Sequence, residues 1–359
     1  MSETYRVSAA IVTYNRLSLL QEALDAVEQQ FGAHLAHIII INNHSTDGTT
    51  EWLQSLTDPR FIIKNLADNL GGAGGFHLAV KTFGEETTDD AIWLMDDDTI
   101  PQPNALHHLV KFMVSHPKTG FVTSNVRWQT PNGKPSWMNV VSPRSFFWVE
   151  NMINGQNAVE VVNATFVSVL IPRNIVAQIG LPQQEYFIWG DDIEYTNRAA
   201  DVYRGYFLPE SVVVHKSSVN ARPGDIRQET DRARLWRYGY EFRNHLLTLR
   251  RANGRKAMLK LALKTLVQQT WTLLQPGNVY RWRKLGLVWT GTWRGLWFNP
   301  PKTYLTNQTP IYVRSITKIE QYRASLMAQG HQEVARWDNE KVEALLIEEL
   351  GSDAMSKQG

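Results

Sequence analysis

Ala91-Ile92-Trp93-Leu94-Met95-Asp96-Asp97-Asp98 is the stretch whose reading decides the fold. Five apolar residues in a row, too few for a helix, suit a short strand buried on both faces. The chain passes from that strand into three carboxylates with no intervening turn. Working upstream, Val7 to Val12 is another short β-rich run, His37 to Ile41 is almost continuously apolar, and Arg60 to Lys64 reads as a further strand. Between them lie an amphipathic segment from Ser18 to Gln30 and a helix carrying Trp52, Leu53 and Leu56. A glycine-rich loop, Asn69 to Gly75, then leads into a helix near Phe76 to Phe83. Strands separated by helices of this length predict βαβ units and a parallel sheet. In such sheets ligands bind beyond the carboxyl ends of the strands. Thr13-Tyr14-Asn15-Arg16, Asn42-Asn43-His44 and Asp96-Asp97-Asp98 all fall at predicted strand ends.

Three adjacent carboxylates repel one another, and keeping them ionised together is costly unless a cation compensates. Hard divalent ions such as Mg²⁺ or Mn²⁺ take oxygen ligands and complete their shell with water and phosphate. In an extended chain Asp96 and Asp98 project to the same side and can share one ion. The plainer alternative is a solvated acidic turn before Pro101 and Pro103. A second acidic motif, Trp189-Gly190-Asp191-Asp192-Ile193-Glu194, opens a predicted helix through Arg198 and Ala199. Carboxylates there are stabilised by the helix dipole, or one of them serves as general base toward an incoming hydroxyl. His215 ends the apolar run Val212 to Val214, where a neutral imidazole can ligate a metal or simply make a structural hydrogen bond. The glycine loop is neither a G-x-G-x-x-G fingerprint nor a Walker loop; it reads as a tight turn or as backbone approaching a phosphate.

Composition narrows the classes. The 359-residue chain has no cysteine, which removes disulfides, thiolate metal sites and cysteine nucleophiles. Its N-terminus lacks a basic flank followed by an apolar run, and no stretch of about 18 apolar residues is present. The expectation is therefore a cytoplasmic protein, with peripheral contact on the inner face of the cell membrane as the variant. Net charge is only +2, yet Arg227 to Lys264 holds eleven Lys and Arg against Glu229, Asp231 and Glu241, which points to an anionic partner. Past about residue 226 the pattern turns to long helical periods. Trp236, Trp271, Trp282, Trp289, Trp293 and Trp297 are interleaved there with Arg281, Arg283, Lys284 and Arg294. Leu259, Leu263, Leu266, Val267 and Leu274 form one apolar stripe. Either this region packs on the rest of the protein, or it presents an interfacial surface to a membrane. Nucleic-acid signatures are absent, so no nucleic-acid partner is expected. Asn339 to Leu350 reads as a terminal amphipathic helix followed by a frayed tail.

Taken in order, Ile11 to Arg16, Asn43 with Ser45 to Thr49, Asn69 to Phe76, Asp96 to Asp98, Trp189 to Asp192 and His215 resemble the family 2 inverting glycosyltransferases. The N-L-G-G-A-G-G-F loop, the triple Asp and the W-G-D-D helix start are most similar to the galactofuranosyltransferase and rhamnosyltransferase branch. The resemblance covers roughly residues 5 to 250. It implies a GT-A fold, a Rossmann-like mixed α/β sheet that binds a nucleotide, here with a helical C-terminal region. It divides the chain into a catalytic part, 1–225, and an Arg/Trp-rich part, 226–359. It also implies a nucleotide-sugar donor and a divalent metal, Mn²⁺ or Mg²⁺. By position, Asp96, Asp98 and His215 would ligate the metal and Asp192 would be the base, with Asp191 as the fallback. Thr13, Asn15, Arg16, Asn43, Asn69, Gly71, Gly72 and Asp97 would line the donor pocket, and Trp189 would meet the acceptor. Asn42 departs from the pattern, since many relatives carry Asp there. UDP-galactofuranose is the first donor expected and dTDP-rhamnose the second, with a polyprenyl-diphosphate-linked glycan acceptor of bacterial surface polysaccharide synthesis. A catalytically silent sugar-binding protein is the alternative from another class.

Overall fold

The computed structural model describes residues 4–129, 135–139, 141–144, 157–217, 225–306, 310 and 312–356. The frayed tail expected after the last helix ends in residues 357–359, outside the described residues. Ten strands form one mixed sheet. In chain order they are β1 (Arg6–Thr13), β2 (His34–Asn42), β3 (Phe61–Asn65), β4 (Ala91–Asp96), β5 (Thr99–Pro101), β6 (Phe121–Gln129), β7 (Pro135–Trp137), β8 (Val159–Val161), β9 (Val169–Pro172) and β10 (Gly205–His215). The main path runs β3-β2-β1-β4-β9-β6-β10-β5, with β7 on β6 and β8 on β10. β3, β2, β1 and β4 are parallel, as their helical crossovers require, whereas β9 is antiparallel to both β4 and β6.

The period of two along each central strand sorts its side chains onto two faces, and both faces are covered. On one, Ala10, Val12, Ile39, Ile41, Ile92 and Leu94 meet Phe76, Ala79, Val80 and Phe83 of α3 (Gly71–Glu86). Ile175 and Val176 of α5 (Arg173–Ile179) and Tyr195 and Ala199 of α6 (Asp191–Val202) join the same cluster. On the other face, Ala9, Ile11, Ile38, Ile40, Trp93 and Met95 meet Leu20, Leu24 and Val27 of α1 (Leu17–Glu28). Leu106, Leu109 and Val110 of α4 (Ala105–Ser115) complete it. A one-residue slip of any central strand would exchange the two sets. A short helix, α2 (Thr49–Gln54), follows β2.

The glycine segment differs from expectation. The helix begins at Gly71, five residues before Phe76, so most of the expected loop is its first turns. Gly71 has φ +73, and a Cβ there would lie 2.0 Å from the Phe187 carbonyl oxygen. At Gly75 a Cβ would lie 2.3 Å from Val12 Cγ1, so its absence lets α3 close onto β1. Close packing outweighs the low helix propensity of these glycines.

After β10 the chain is helical. α7 (Trp236–Leu274) is interrupted at Gly254 (φ 81, ψ 177), and a short turn returns it into α8 (Arg281–Trp297). Gly291 and Gly295 of α8 sit against Gly239, Arg243 and Leu246 of α7, with ideal Cβ positions 2.7 Å from the Gly239 oxygen and 2.8 Å from Leu246 Cδ1. α9 (Ile316–Ala328) and α10 (Asn339–Ser356) pair through Ile319, Val334 and Val342. Asp201 at the end of α6 accepts from the Ser315 and Thr317 hydroxyls and the Thr317 amide, tying α9 to the sheet domain.

At the amino-terminal edge of the sheet, Asp89 is fully buried and accepts from Arg6 Nε at 2.9 Å and Ser8 Oγ at 2.7 Å, with His37 Nδ1 at 2.7 Å. Burial acts to raise the Asp89 carboxyl, but these partners outweigh it and hold it below its usual range. Asp89→Ala removes the acceptor that joins β1, β2 and β4. Chemical denaturation should show a loss of about 2 kcal/mol.

Candidate active site

Because β1, β2 and β4 run parallel, their carboxyl ends lie side by side. The register pairs Val12 with Asp96 and Thr13 with Asn42. Strand β5 then folds back against the last residues of β10, pairing Thr99 with His215 and Ile100 with Val214. That antiparallel contact carries Asp98 to His215, and the Lys216 amide donates to the Asp98 carbonyl at 2.8 Å. His215 Nε2 lies 2.9 Å from Asp98 Oδ1 and 4.0 Å from Asp96 Oδ2. One ligand atom from each of Asp96, Asp98 and His215 fits within 4.8 Å of the others.

The charge of this cluster is incompletely compensated. Arg16 Nη1 reaches Asp98 Oδ2 at 2.7 Å and Asp97 Oδ1 at 3.1 Å, and the Tyr14 amide donates to Asp97 Oδ2 at 3.3 Å. Asp96 keeps 38% of its side chain open, yet surrounding protein and then the charge of Asp98 push its carboxyl up to about 7. Burial pushes Asp97 up to about 6 against the pull of Arg16. Asp98 is buried too, but His215 more than offsets this and holds it below the usual range. Burial likewise disfavours the His215 cation, and the Asp98 contact outweighs it and raises the imidazole. Asp98 Oδ1 is buried and has no aligned hydrogen-bond donor among the described residues. An acceptor-rich pair with an orphaned oxygen, beside an imidazole and an open carboxylate, fits a divalent cation.

The second acidic motif lies near enough to the first for Asp191 to feel the charge of Asp96. Asp191 is 6% exposed, and its carboxyl is raised well above its usual range by burial, then by Asp192 and by the charge of Asp96. Asp192 is half-buried; burial pushes it up to about 6, while the Ile193 amide donates to its Oδ1 at 2.7 Å. Both open α6, where the helix dipole favours negative charge. The preceding backbone is strained: Phe187, Trp189 and Gly190 have φ of 62, 65 and 90, and two of these are aromatic residues. Asn244 of α7 holds this turn. It is 1% exposed, and its Nδ2 lies 3.0 Å from the Tyr186 oxygen, 3.0 Å from that of Ile188 and 2.8 Å from that of Trp189. Phe187 stacks on Tyr240 at 5.2 Å, and Trp189 meets Tyr238 edge-on at 5.2 Å. Glu194 of α6 bonds Arg198 at 2.9 Å and Arg251 of α7 at 2.6 Å.

The remaining predicted residues surround the same edge, several of them engaged with one another. Asn15, at φ 53, accepts from the Thr46 amide at 2.7 Å, and its own amide donates to Ser45 Oγ at 2.9 Å. Asn43 donates to the Gly71 oxygen and to Asn69 Oδ1, and accepts from the Leu70 amide, so its amide group shapes the start of α3. Asn69 Oδ1 also accepts from the Gly71 amide. Asn42 bonds Thr50, Asn65 and the Ser45 amide. Thr13 is buried beside Asp97, and a Cβ at Gly72 would meet open space. The Trp189 ring packs into a C-terminal cluster with Tyr238, Leu285 and Val288. Sequence reading missed Asn244. Its signal is weak, a single amide within a helix of Arg, Leu and aromatic residues.

Residues 8–169 match Glycosyl transferase family 2. That stretch is a little under half of the chain. That match includes Asp96 to Asp98 and stops short of Asp191, Asp192 and His215. Over 206 residues the chain is 25% identical to galactofuranosyltransferase GlfT1 of Mycolicibacterium smegmatis, covering 55% of this chain and 66% of that protein. Over 128 residues it is 27% identical to the poly-beta-1,6-N-acetyl-D-glucosamine synthase of Staphylococcus aureus, covering 35% of this chain and 30% of that one. The chain thus spans just under two thirds of the first relative and under one third of the second. Among solved structures, GalNAc-T7 with UDP, GalNAc and Mn²⁺ superposes with a TM-score of 0.56 at 13% identity, over 78% of this chain and 53% of that one. S. aureus TarS 1–349 gives 0.50 at 14% identity, over 80% and 81%. These likenesses establish a GT-A-like fold.

Asn244→Leu removes the amide that holds the Tyr186–Gly190 turn. A misplacement of about 1 Å at the reacting groups costs on the order of 100-fold in rate. The variant should lose kcat to about that extent, with little change in nucleotide affinity by calorimetry. An equal loss of both would show Asn244 to be a general stabiliser.

Proposed function

We propose that the protein is an inverting glycosyltransferase that moves a sugar from a nucleoside-diphosphate donor to a glycan hydroxyl. One observation carries this reading: Asp96, Asp98 and His215 converge at the carboxyl edge of the sheet, and Asp191, which with Asp192 opens α6, lies near enough to feel the charge of Asp96. One set suits a cation and diphosphate, the other a base. Asp96, Asp98 and His215 would hold the Mn²⁺ or Mg²⁺ ion, which when bound offsets charge on the departing diphosphate. Arg16, now on Asp97 and Asp98, supplies a fixed positive charge at the same place. Thr13, Asn15, Asn43, Asn69, Gly71 and Gly72 would bound the nucleotide and sugar pocket, directly or by shaping it.

Asp192 is the base in this reading. It is half-open where Asp191 is 6% exposed, and a pKa of about 6 leaves it ionised yet basic near neutral pH. The acceptor oxygen bonds to the anomeric carbon as the bond from that carbon to the diphosphate oxygen breaks. The hydroxyl proton passes to Asp192 and configuration inverts. Trp189 fixes the turn beside the acceptor. The name of the mycobacterial relative favours galactofuranose as the sugar moved, which makes UDP-galactofuranose the first choice of donor, with a polyprenyl-diphosphate-linked glycan as the acceptor in this reading. dTDP-rhamnose is the second choice.

A thermal-shift screen of nucleotide sugars with Mn²⁺ tests the donor. A true donor at about 100 times its dissociation constant should stabilise the protein by about 2.7 kcal/mol, and EDTA should abolish the shift. Asp98→Ala should weaken this cation-dependent binding. Asp192→Asn should instead cut turnover by roughly 10²–10⁴ at nearly unchanged donor affinity; full activity in that variant would remove Asp192 from the role. Because its carboxyl is raised, Asp192 gains a proton as pH falls through about 6, and turnover should fall on that limb.

A further inference from the structure

The α7–α8 hairpin has a second face that the active site does not use. Leu259, Leu263, Val267, Trp271 and Leu274 recur along α7 at intervals of about one turn and are 51, 66, 63, 70 and 44% exposed. On α8, Trp282, Trp289, Trp293 and Trp297 repeat in the same way and are 74, 53, 65 and 69% exposed. The two stripes adjoin, since Trp289 Nε1 donates to Thr270 Oγ1 at 3.0 Å. The reverse side of α8 is buried through Leu285, Val288, Gly291 and Gly295, so the tryptophans face away from the packed side. An apolar surface of this extent on a folded chain marks an interaction site.

Charge decides its occupant. From Phe242 to Ile319 the sequence has fourteen Lys and Arg and no Asp or Glu. On the hairpin itself Arg255, Lys256, Lys260, Lys264, Arg283 and Arg294 are exposed, and no ion pair engages them among the described residues. Lys260 and Lys264 follow Leu259 and Leu263 on the same flank. A second copy of the chain would bring like charge against like charge, whereas an anionic surface is complementary to it. Tryptophan at the level of lipid headgroups, with long basic side chains reaching outward, is the pattern of a helix lying in a membrane interface. No helix of the described residues is long and apolar enough to cross a membrane.

We propose that the exposed Trp/Leu/Lys face of α7 and α8 docks the protein onto an anionic lipid bilayer, with both helices lying along its surface. This does not depend on the donor or on the sugar-transfer reading. Trp189, beside Asp191, packs on the inner side of the same hairpin, so docking would fix the active-site cleft relative to the lipid surface.

The test is co-sedimentation of the full chain with phosphatidylglycerol-containing vesicles and with pure phosphatidylcholine vesicles. Binding to the anionic vesicles should be at least tenfold stronger and should weaken with salt. The combined variant Trp282→Ser, Trp289→Ser, Trp293→Ser should lose at least tenfold in partition, with circular dichroism and nucleotide binding unchanged. Lys260→Glu with Lys264→Glu should remove much of the preference for anionic lipid. Absence of binding to anionic vesicles at low salt overturns the proposal, as does a tryptophan variant that binds like the parent. Concentration-dependent self-association in ultracentrifugation, abolished by those same tryptophan changes, would assign the face to a second copy instead.

Discussion

Three residues of β5 laid against the end of β10 are the contact on which the site depends. Thr99 pairs with His215 immediately after Asp98 leaves the sheet, so two groups distant in sequence meet at 2.9 Å. Backbone hydrogen bonds hold them there, independently of any attraction between the side chains. The cost is a crowded set of carboxylates, and the surrounding structure reflects it. Arg16 lies across Asp97 and Asp98, His215 Nε2 lies 2.9 Å from Asp98 Oδ1, and Asp191 and Asp192 occupy the favourable end of a helix dipole. These devices compensate the charge only in part, leaving Asp96 and Asp97 raised and an oxygen of Asp98 without a donor. A site left in this condition is one shaped for a cation.

The C-terminal helices have two distinct physical tasks. Their inner side supports chemistry at a distance, because Asn244 takes three carbonyls of a strained turn and Arg251 neutralises Glu194 inside α6. A turn with positive φ at Phe187 and Trp189 persists only when its surroundings over-determine it. Their outer side is unlike a packing surface, with wide aromatic exposure and uncompensated positive charge. The two tasks are coupled through Trp189 and Tyr238, which lie between the acidic helix and the hairpin.

The parallel half of the sheet was legible from residue patterns because its strands are buried on both faces. Runs such as His37 to Ile41 admit few other conformations, and boundaries moved by only a few residues. The glycine segment was misread because low helix propensity argues for a loop, whereas close approach to Val12 and to the Phe187 carbonyl makes glycine necessary in a helix at that place. The acidic motifs stood out because carboxylates at strand and helix ends have few neutral explanations. Asn244 did not, since an amide gains meaning only from the carbonyls brought to it.

The sequence by itself determined which segments form the buried strands of the parallel half and which polar residues end them, because both follow from local periodicity and burial. The order of motifs already grouped His215 with Asp96 and Asp98; only the tertiary structure decided that it approaches Asp98 to 2.9 Å through the β5–β10 pairing, that Asp191 feels the charge of Asp96, and that the tryptophans of α8 face outward. Each is a relation between segments distant in the chain. Such relations are set by antiparallel register and helix packing, and residue order alone does not encode them locally.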